Sequence, residues 1–188
     1  MTKLAVFVSG TGTILEAMIH SGLEISLVLA DRPCRGFEIA KAAGIATELV
    51  ERKTYGPDFD RAAYTREVMA ALEPHDIGLI AMAGFMTILA PAIFDRYEGK
   101  ILNTHPSLLP AFKGENAVEQ ALAAGVKTTG FTIHVATSEL DAGPILAQAS
   151  VPVEPGDTVD TLQERIKQSE RRVYPETIKK LMSKASPV

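Results

Sequence analysis

Cysteine is almost missing: Cys34 is the only one in 188 residues. A single thiol excludes an intrachain disulfide and a cysteine cluster for zinc, and it points to a reducing compartment. An excess of charge of one sign is missing too. The net charge of −4 excludes broad non-specific binding to nucleic acid or to an anionic membrane, though it leaves room for a local basic patch. Long hydrophobic runs are the third absence. The apolar start "LAVFV" (4–8) is too short for a signal peptide or a membrane span, and it runs straight into a Gly-rich turn. No repeat, low-complexity segment or linker interrupts the chain. These absences lead to the expectation of a cytoplasmic protein without a membrane or nucleic-acid partner. What is present is ordinary for a globular chain, with 46% hydrophobic and 22% charged residues, and the length fits one domain with a real core.

Short apolar runs alternate with helical patterns. "LAVFV" (4–8), "ISLVLA" (25–30), "TELV" (47–50), "IGLIAMA" (77–83) and "KILNTH" (100–105) read as strands that are apolar throughout rather than every second residue. Between them, 13–19, 34–43 and 60–72 read as helices, the second stopped by Gly44 and the third by Glu73-Pro74. This pattern predicts a doubly wound parallel sheet, Rossmann-like in the first half. Beyond residue 105 it changes. A helix over 116–124 is followed by strands at 129–136 and 144–153, whose short connection favours antiparallel pairing. A long helix then starts near Thr158, with Asp157 as its N-cap and Pro175 as a possible break. The expected architecture is one α/β domain over 1–188, a mostly parallel sheet extended by antiparallel strands.

Four places carry chemistry. Ser9-Gly10-Thr11-Gly12-Thr13 opens a helix after a strand, which suits a phosphate, or is simply a tight turn. It is neither a P-loop nor a full dinucleotide fingerprint, because Leu15 stands where the third glycine belongs. Asp31, ending the second strand, reads as a ribose-binding acid of a dinucleotide fold or as a surface acid. In "ILNTHPSLLP" (101–110), Asn103 and His105 are two residues apart on a strand, so they share a face. Pro106 biases His105 towards an extended backbone. An amide donor beside a titratable ring suits a carbonyl that must be polarised and given a proton. "SELDAGP" (138–144) is a turn signal that also offers a carboxylate to that histidine. Asp141 is the first choice and Glu139 the competitor, with His134 on a strand near the same region. On the last helix, Val159, Leu162, Ile166 and Val173 form an apolar stripe that contains Glu170. Lys167 and Glu170 read either as a solvated i, i+3 pair or as the border of a pocket.

Together these segments resemble the phosphoribosylglycinamide formyltransferases. The resemblance runs from "VFVSGTGT" through "MAGFMTIL", "ILNTHPSLLPAFKG" and "TGFTIHVATSELDAGPILAQ" to "RIKQSERRVYP". It implies transfer of the formyl group of 10-formyltetrahydrofolate, a co-substrate, to the amine of glycinamide ribonucleotide in purine synthesis, with no metal. It implies that Asn103, His105 and Asp141 are catalytic, with Asn103 and Asp141 also touching the formyl folate. Gly10, Gly12, Thr13 and Ile14 would hold the nucleotide phosphate, with Lys167 near it and Glu170 on the ribose. Met86, Thr87, Ile88 and Leu89 would wall the pterin pocket. The nucleotide-phosphate half is then 1–100, and the catalytic and folate half 101–188. Related enzymes, methionyl-tRNA formyltransferase and formyltetrahydrofolate deformylase, usually carry an extra domain, and the expectation from 188 residues is a chain without one.

The sequence departs from that family in places. Many members have Asn-Gly-Ser-Asn where Thr11-Gly12-Thr13-Ile14 stands here, so the phosphate would rely on backbone N–H groups and Thr13. Members often have Arg at Thr87. An arginine for the folate's acidic tail has no clear equivalent, since Ala62 takes its place with Arg61 one residue early. The rival readings are a formyltetrahydrofolate hydrolase, a nicotinamide-dependent dehydrogenase resting on Gly10, Gly12 and Asp31, and a non-catalytic nucleotide-binding module.

Overall fold

All five apolar runs of the first half become strands of one sheet. In a computed structural model that describes residues 2–184, β1 (Lys3–Val8), β2 (Ile25–Ala30), β3 (Thr47–Leu49), β4 (Ile77–Met82) and β5 (Ile101–His105) pair in parallel. β6 (Thr128–Val135) pairs antiparallel with β5, and β7 (Ile145–Pro152) pairs antiparallel with β6. The order is β3-β2-β1-β4-β5-β6-β7. Continuous apolarity in β1, β2 and β4 follows from helices covering both faces of the sheet.

One face carries α1 (Thr13–His20), α2 (Arg35–Ala42), α5 (Ala117–Ala123) and α6 (Val159–Lys184). Their core includes Leu15, Met18, Phe131, Leu162 and Ile166, all fully buried. The other face carries α3 (Arg61–Leu72) and α4 (Pro91–Arg96), packed on Phe7, Leu27 and Ile80. Full burial of a side chain of this size contributes about 1.5–3 kcal/mol, so these two layers hold the sheet in place. The short helix α4 is an element that periodicity did not reveal. It has six residues, too few for a helical repeat to show, and Pro91 at its first turn is its one local signal.

Two details of α6 differ from the sequence reading. Its cap is Thr158, whose hydroxyl accepts from the Thr161 N–H at 3.2 Å and whose carbonyl accepts from Leu162. Asp157 instead grips Arg165, at 2.6 and 2.8 Å. The helix also runs through Pro175 without a break. Its buried stripe is Leu162, Ile166, Glu170, Tyr174 and Ile178, while Val159 stays exposed. Tyr174 is fully buried, and its hydroxyl lies 3.2 and 3.1 Å from the carbonyls of Met82 and Leu102. That contact fixes α6 over the end of β4 and the start of β5, and with it Glu170, one turn earlier.

Between β1 and β4 the chain order reverses, because β1 leads outward to β2 and β4 leads the other way to β5. Crevices for ligands in open α/β sheets form at the carboxyl ends of strands flanking such a point. The ends of β1, β4 and β5 are where residues 9–13, 83–89 and 105 lie.

Candidate active site

The turn after β1 is built by close backbone approach. Gly12 caps α1 with φ +70°, and a Cβ there would stand 2.5 Å from the Gly36 Cα. The Gly36 N–H donates to the Gly10 carbonyl at 3.0 Å. The first turns of α1 and α2 therefore meet at this loop. Arg35 adds a hydrogen bond from its guanidinium to the Thr11 carbonyl, at 2.8 Å. The Ile14 side chain is buried in the core, so only its backbone faces the turn. The Ser9 hydroxyl accepts from the Met86 N–H at 2.8 Å and so ties this loop to the segment after β4.

Asp31 is neither a ribose ligand nor a surface acid. It is fully buried, its carboxylate pairs with Arg32 at 3.0 and 3.1 Å, and it accepts from the Thr87 hydroxyl at 2.7 Å. A carboxylate occupied in this way is not presented to a dinucleotide, which removes the main support of the dehydrogenase reading.

A cleft of ≈ 120 Å³ opens at the ends of β4 and β5. Met86, Thr87, Ile88 and Leu89 line one side, residues 136–141 the other, with Asn103 and His134 between them. Met86, Ile88 and Leu140 are exposed apolar side chains, which suits a flat organic ring. Thr87 and Leu89 are buried, and the Thr87 side chain is turned to Asp31. A second hollow, beside Ile77 and Arg96, lies at the opposite end of β4 and contains none of the catalytic candidates.

Asn103, His105 and Asp141 come together beside this cleft. The β5–β6 register sets Asn103 opposite His134 and His105 opposite Thr132. His105 Nδ1 is 3.3 Å from Asp141 Oδ2, and His105 Nε2 is 2.8 Å from the Phe112 carbonyl. Both partners only accept, so the ring is fully satisfied when both nitrogens carry protons. Asp141 is reached through a tight turn. It has φ +50°, and a Cβ at Gly143 would meet the Val135 carbonyl at 1.8 Å. This close packing is the physical reason for the Asp-Ala-Gly-Pro run: glycine lets the loop fold down onto the end of β6. Burial opposes ionisation of Asp141. The Gly114 N–H at 2.9 Å and the nearby His105 outweigh it, joined by the His134 ring 3.6 Å away when Nε2 carries a proton, and hold the carboxyl below its usual range. Glu139, the competitor, is exposed.

Three contacts were not legible beforehand. They are the Phe112 carbonyl, the Gly114 N–H and the direct approach of His134 to Asn103, at 3.3 Å. The strand pairing of Asn103 with His134 could have been found from the antiparallel register. The loop contacts have no sequence signal.

On the other side of β5, the Thr104 hydroxyl donates to the Glu170 carboxylate. Glu170 is buried, which pushes its carboxyl up, although Thr104 and the charges of Lys167 and Arg171 pull it back. The solvated-pair reading of Lys167 and Glu170 is therefore wrong for Glu170, while Lys167 is half-buried beside it. Among the described residues, no cluster of three or more His, Cys, Asp or Glu is arranged to hold a metal. No described helix is long and apolar enough to cross a membrane.

An amide at a cleft, beside an imidazole in contact with a carboxylate, can stabilise an oxyanion and move a proton. Residues 2–178 match the family described as Formyl transferase. The chain belongs to that family. It is 39% identical over 189 residues to the phosphoribosylglycinamide formyltransferase of Bacillus subtilis, covering 97% of this chain and 95% of that protein. It is also 45% identical to the trifunctional purine biosynthetic protein adenosine-3 of Gallus gallus, covering 99% of this chain but only 19% of that much longer one. The fold matches a crystal structure of phosphoribosylglycinamide formyltransferase from Bacillus halodurans with TM-score 0.90 and 42% identity, covering 98% of this chain and 97% of that one. The formyl transferase fold thus extends through the sheet, the cleft and α6.

Proposed function

We propose that this chain transfers the formyl group of 10-formyltetrahydrofolate to the amine of glycinamide ribonucleotide, giving formylglycinamide ribonucleotide and tetrahydrofolate in purine biosynthesis. The observation that carries the reading is the His105–Asp141 contact at a cleft with apolar walls that Asn103 and Asp141 both line, in a chain of the Formyl transferase family. The name of the Bacillus subtilis relative supports the choice of substrate.

The residues present fit a folate donor. The exposed side chains of Met86, Ile88 and Leu140 offer apolar contact to a pterin ring, and Asn103 and Asp141 border the same space. The donor supplies an activated formyl carbon. Asn103 donates an N–H to the formyl oxygen as negative charge grows there. His105 faces the same charge as a cation and can supply a proton. Asp141, held ionised, keeps the ring charged and oriented, and provides an acceptor for a water that carries the amine proton away. Neither a covalent bond to the enzyme nor a metal enters this scheme. The backbone N–H groups of Gly12, Thr13 and Ile14 at the start of α1 take the nucleotide phosphate. Lys167 adds positive charge, and Glu170 accepts from ribose hydroxyls.

The test is to incubate the protein with formyl folate, with and without glycinamide ribonucleotide, and to follow the folate absorbance. The reading expects release of tetrahydrofolate only when both are present. Release without the nucleotide would instead make the protein a hydrolase.

A further inference from the structure

We propose that His134 is a positioning residue that sets which way the Asn103 amide faces. The proposal rests on the reading of Asn103 as the donor to the formyl oxygen and adds a residue to it.

His134 is buried, with both ring nitrogens committed. Nδ1 lies 3.0 Å from the Val135 carbonyl, and Nε2 lies 3.3 Å from Asn103 Nδ2. A carbonyl can only accept, so the proton of a neutral ring sits on Nδ1. Nε2 is then bare. A bare nitrogen accepts from the Asn103 NH₂ and repels the amide oxygen, so the amide has one favourable orientation: nitrogen towards His134. One N–H is used in this way. The second N–H of the same group remains for the cleft that Asn103 borders. Without an acceptor at this place, the amide would be free to turn over and present its oxygen to a developing oxyanion.

The other group within reach of Nε2 is Asp141 Oδ1, at 3.6 Å. That separation is too long for a hydrogen bond. Asp141 Oδ2 is directed at His105 and at the Gly114 N–H instead. The geometry therefore divides the work of the two histidines. His105 shares its protons with Asp141 and Phe112, and His134 lends a lone pair to Asn103.

Two measurements test this. The first is ¹⁵N NMR of the histidine rings in the wild-type protein at neutral pH. The proposal expects His134 as the neutral tautomer with hydrogen on Nδ1 and none on Nε2. A proton on Nε2, in either a neutral or a charged ring, would overturn it whatever the activity. The second compares His134→Leu, which offers no acceptor, with His134→Gln, whose amide oxygen can replace Nε2. Misplacing a catalytic group by about 1 Å can cost on the order of 10² in rate. The proposal expects His134→Leu to lower kcat on that scale with both KM values within a few-fold, and His134→Gln to recover most of the loss. Equal losses in the two variants, or a loss in KM alone, would contradict it. Asn103→Ala separates the failure modes. If that change leaves kcat intact, the role of Asn103 itself is wrong. If it lowers kcat while the His134 tautomer is the other one, only the positioning role fails.

Discussion

The Thr104 hydroxyl donates a hydrogen bond to the Glu170 carboxylate on the side of β5 opposite Asn103 and His105. One strand thus serves two sites by simple alternation. Its even-sided neighbour binds α6, and its odd-sided pair meets the loop that carries Asp141.

Burial raises the Glu170 carboxyl above its ordinary range, so the ionised form costs stability in the folded protein. The sign follows from linkage. Between the unfolded value, about 4.3 for Glu, and the raised folded value, the native state holds the extra proton. Stability from this group is present below that window and lost as pH rises through it. Glu170→Gln keeps an acceptor for Thr104 and removes the charge. It is expected to melt at or above the wild-type temperature at pH 7, with the advantage shrinking towards pH 4. Nucleotide affinity is expected to fall about tenfold or more, the scale of a charge-assisted hydrogen bond. Thermal melts across pH, with nucleotide titration at pH 7, check both.

Asp141 is the opposite case, because its carboxyl is lowered. Its stabilising contribution is present above the ordinary carboxylate range, about 3.9, and is lost as pH falls through the lower folded value. Asp141→Asn should therefore be less stable than wild type at pH 7, with the difference narrowing below about pH 4. Turnover should fall by about 10² or more. A variant with wild-type turnover would leave Asp141 as a turn residue.

The contact of Gly12 with Gly36 gives a prediction for the phosphate loop. Gly12→Ala forces a side chain into a left-handed backbone and against the Gly36 Cα. Backbone strain of this kind costs about 1–3 kcal/mol, and the clash adds to it. Chemical denaturation should show that loss, and nucleotide affinity should fall more than folate affinity. Equal loss of both would place the loop's role in folding alone.

Lys167→Ala should also weaken the nucleotide selectively. Removal of a cation from an anion costs about 1.5–3 kcal/mol, or roughly tenfold to a hundredfold in affinity. Calorimetric titration with each substrate in turn distinguishes this from a general loss.

The strands of the first half and its helices α1, α2 and α3 were legible because buried parallel strands are apolar throughout and Gly44 and Pro74 punctuate the second and third of those helices. The antiparallel pair was legible from the short connection between β6 and β7. Asn103 and His105 were legible from spacing alone, since a strand puts i and i+2 on one face. Asp31 was not. A buried acid needs partners, and Arg32 and Thr87 supply them across the fold, which no local pattern announces. Glu170 was named from its place in the apolar stripe, but its partner was hidden for the same reason: Thr104 is on a different element. The Thr158 cap was missed because Asp157 is an equally good capping residue, and the choice was made by Arg165, eight residues away.

The central claim is tested most directly by the fate of the transferred carbon. Formyl folate labelled with ¹³C in the formyl group is mixed with glycinamide ribonucleotide and wild-type protein, and the label is followed by NMR. The account predicts that the label moves to an amide carbon on the glycinamide ribonucleotide product, at a rate that Asn103→Ala lowers on the order of 10² to 10³. Label appearing as free formate, or remaining on the folate, would contradict it.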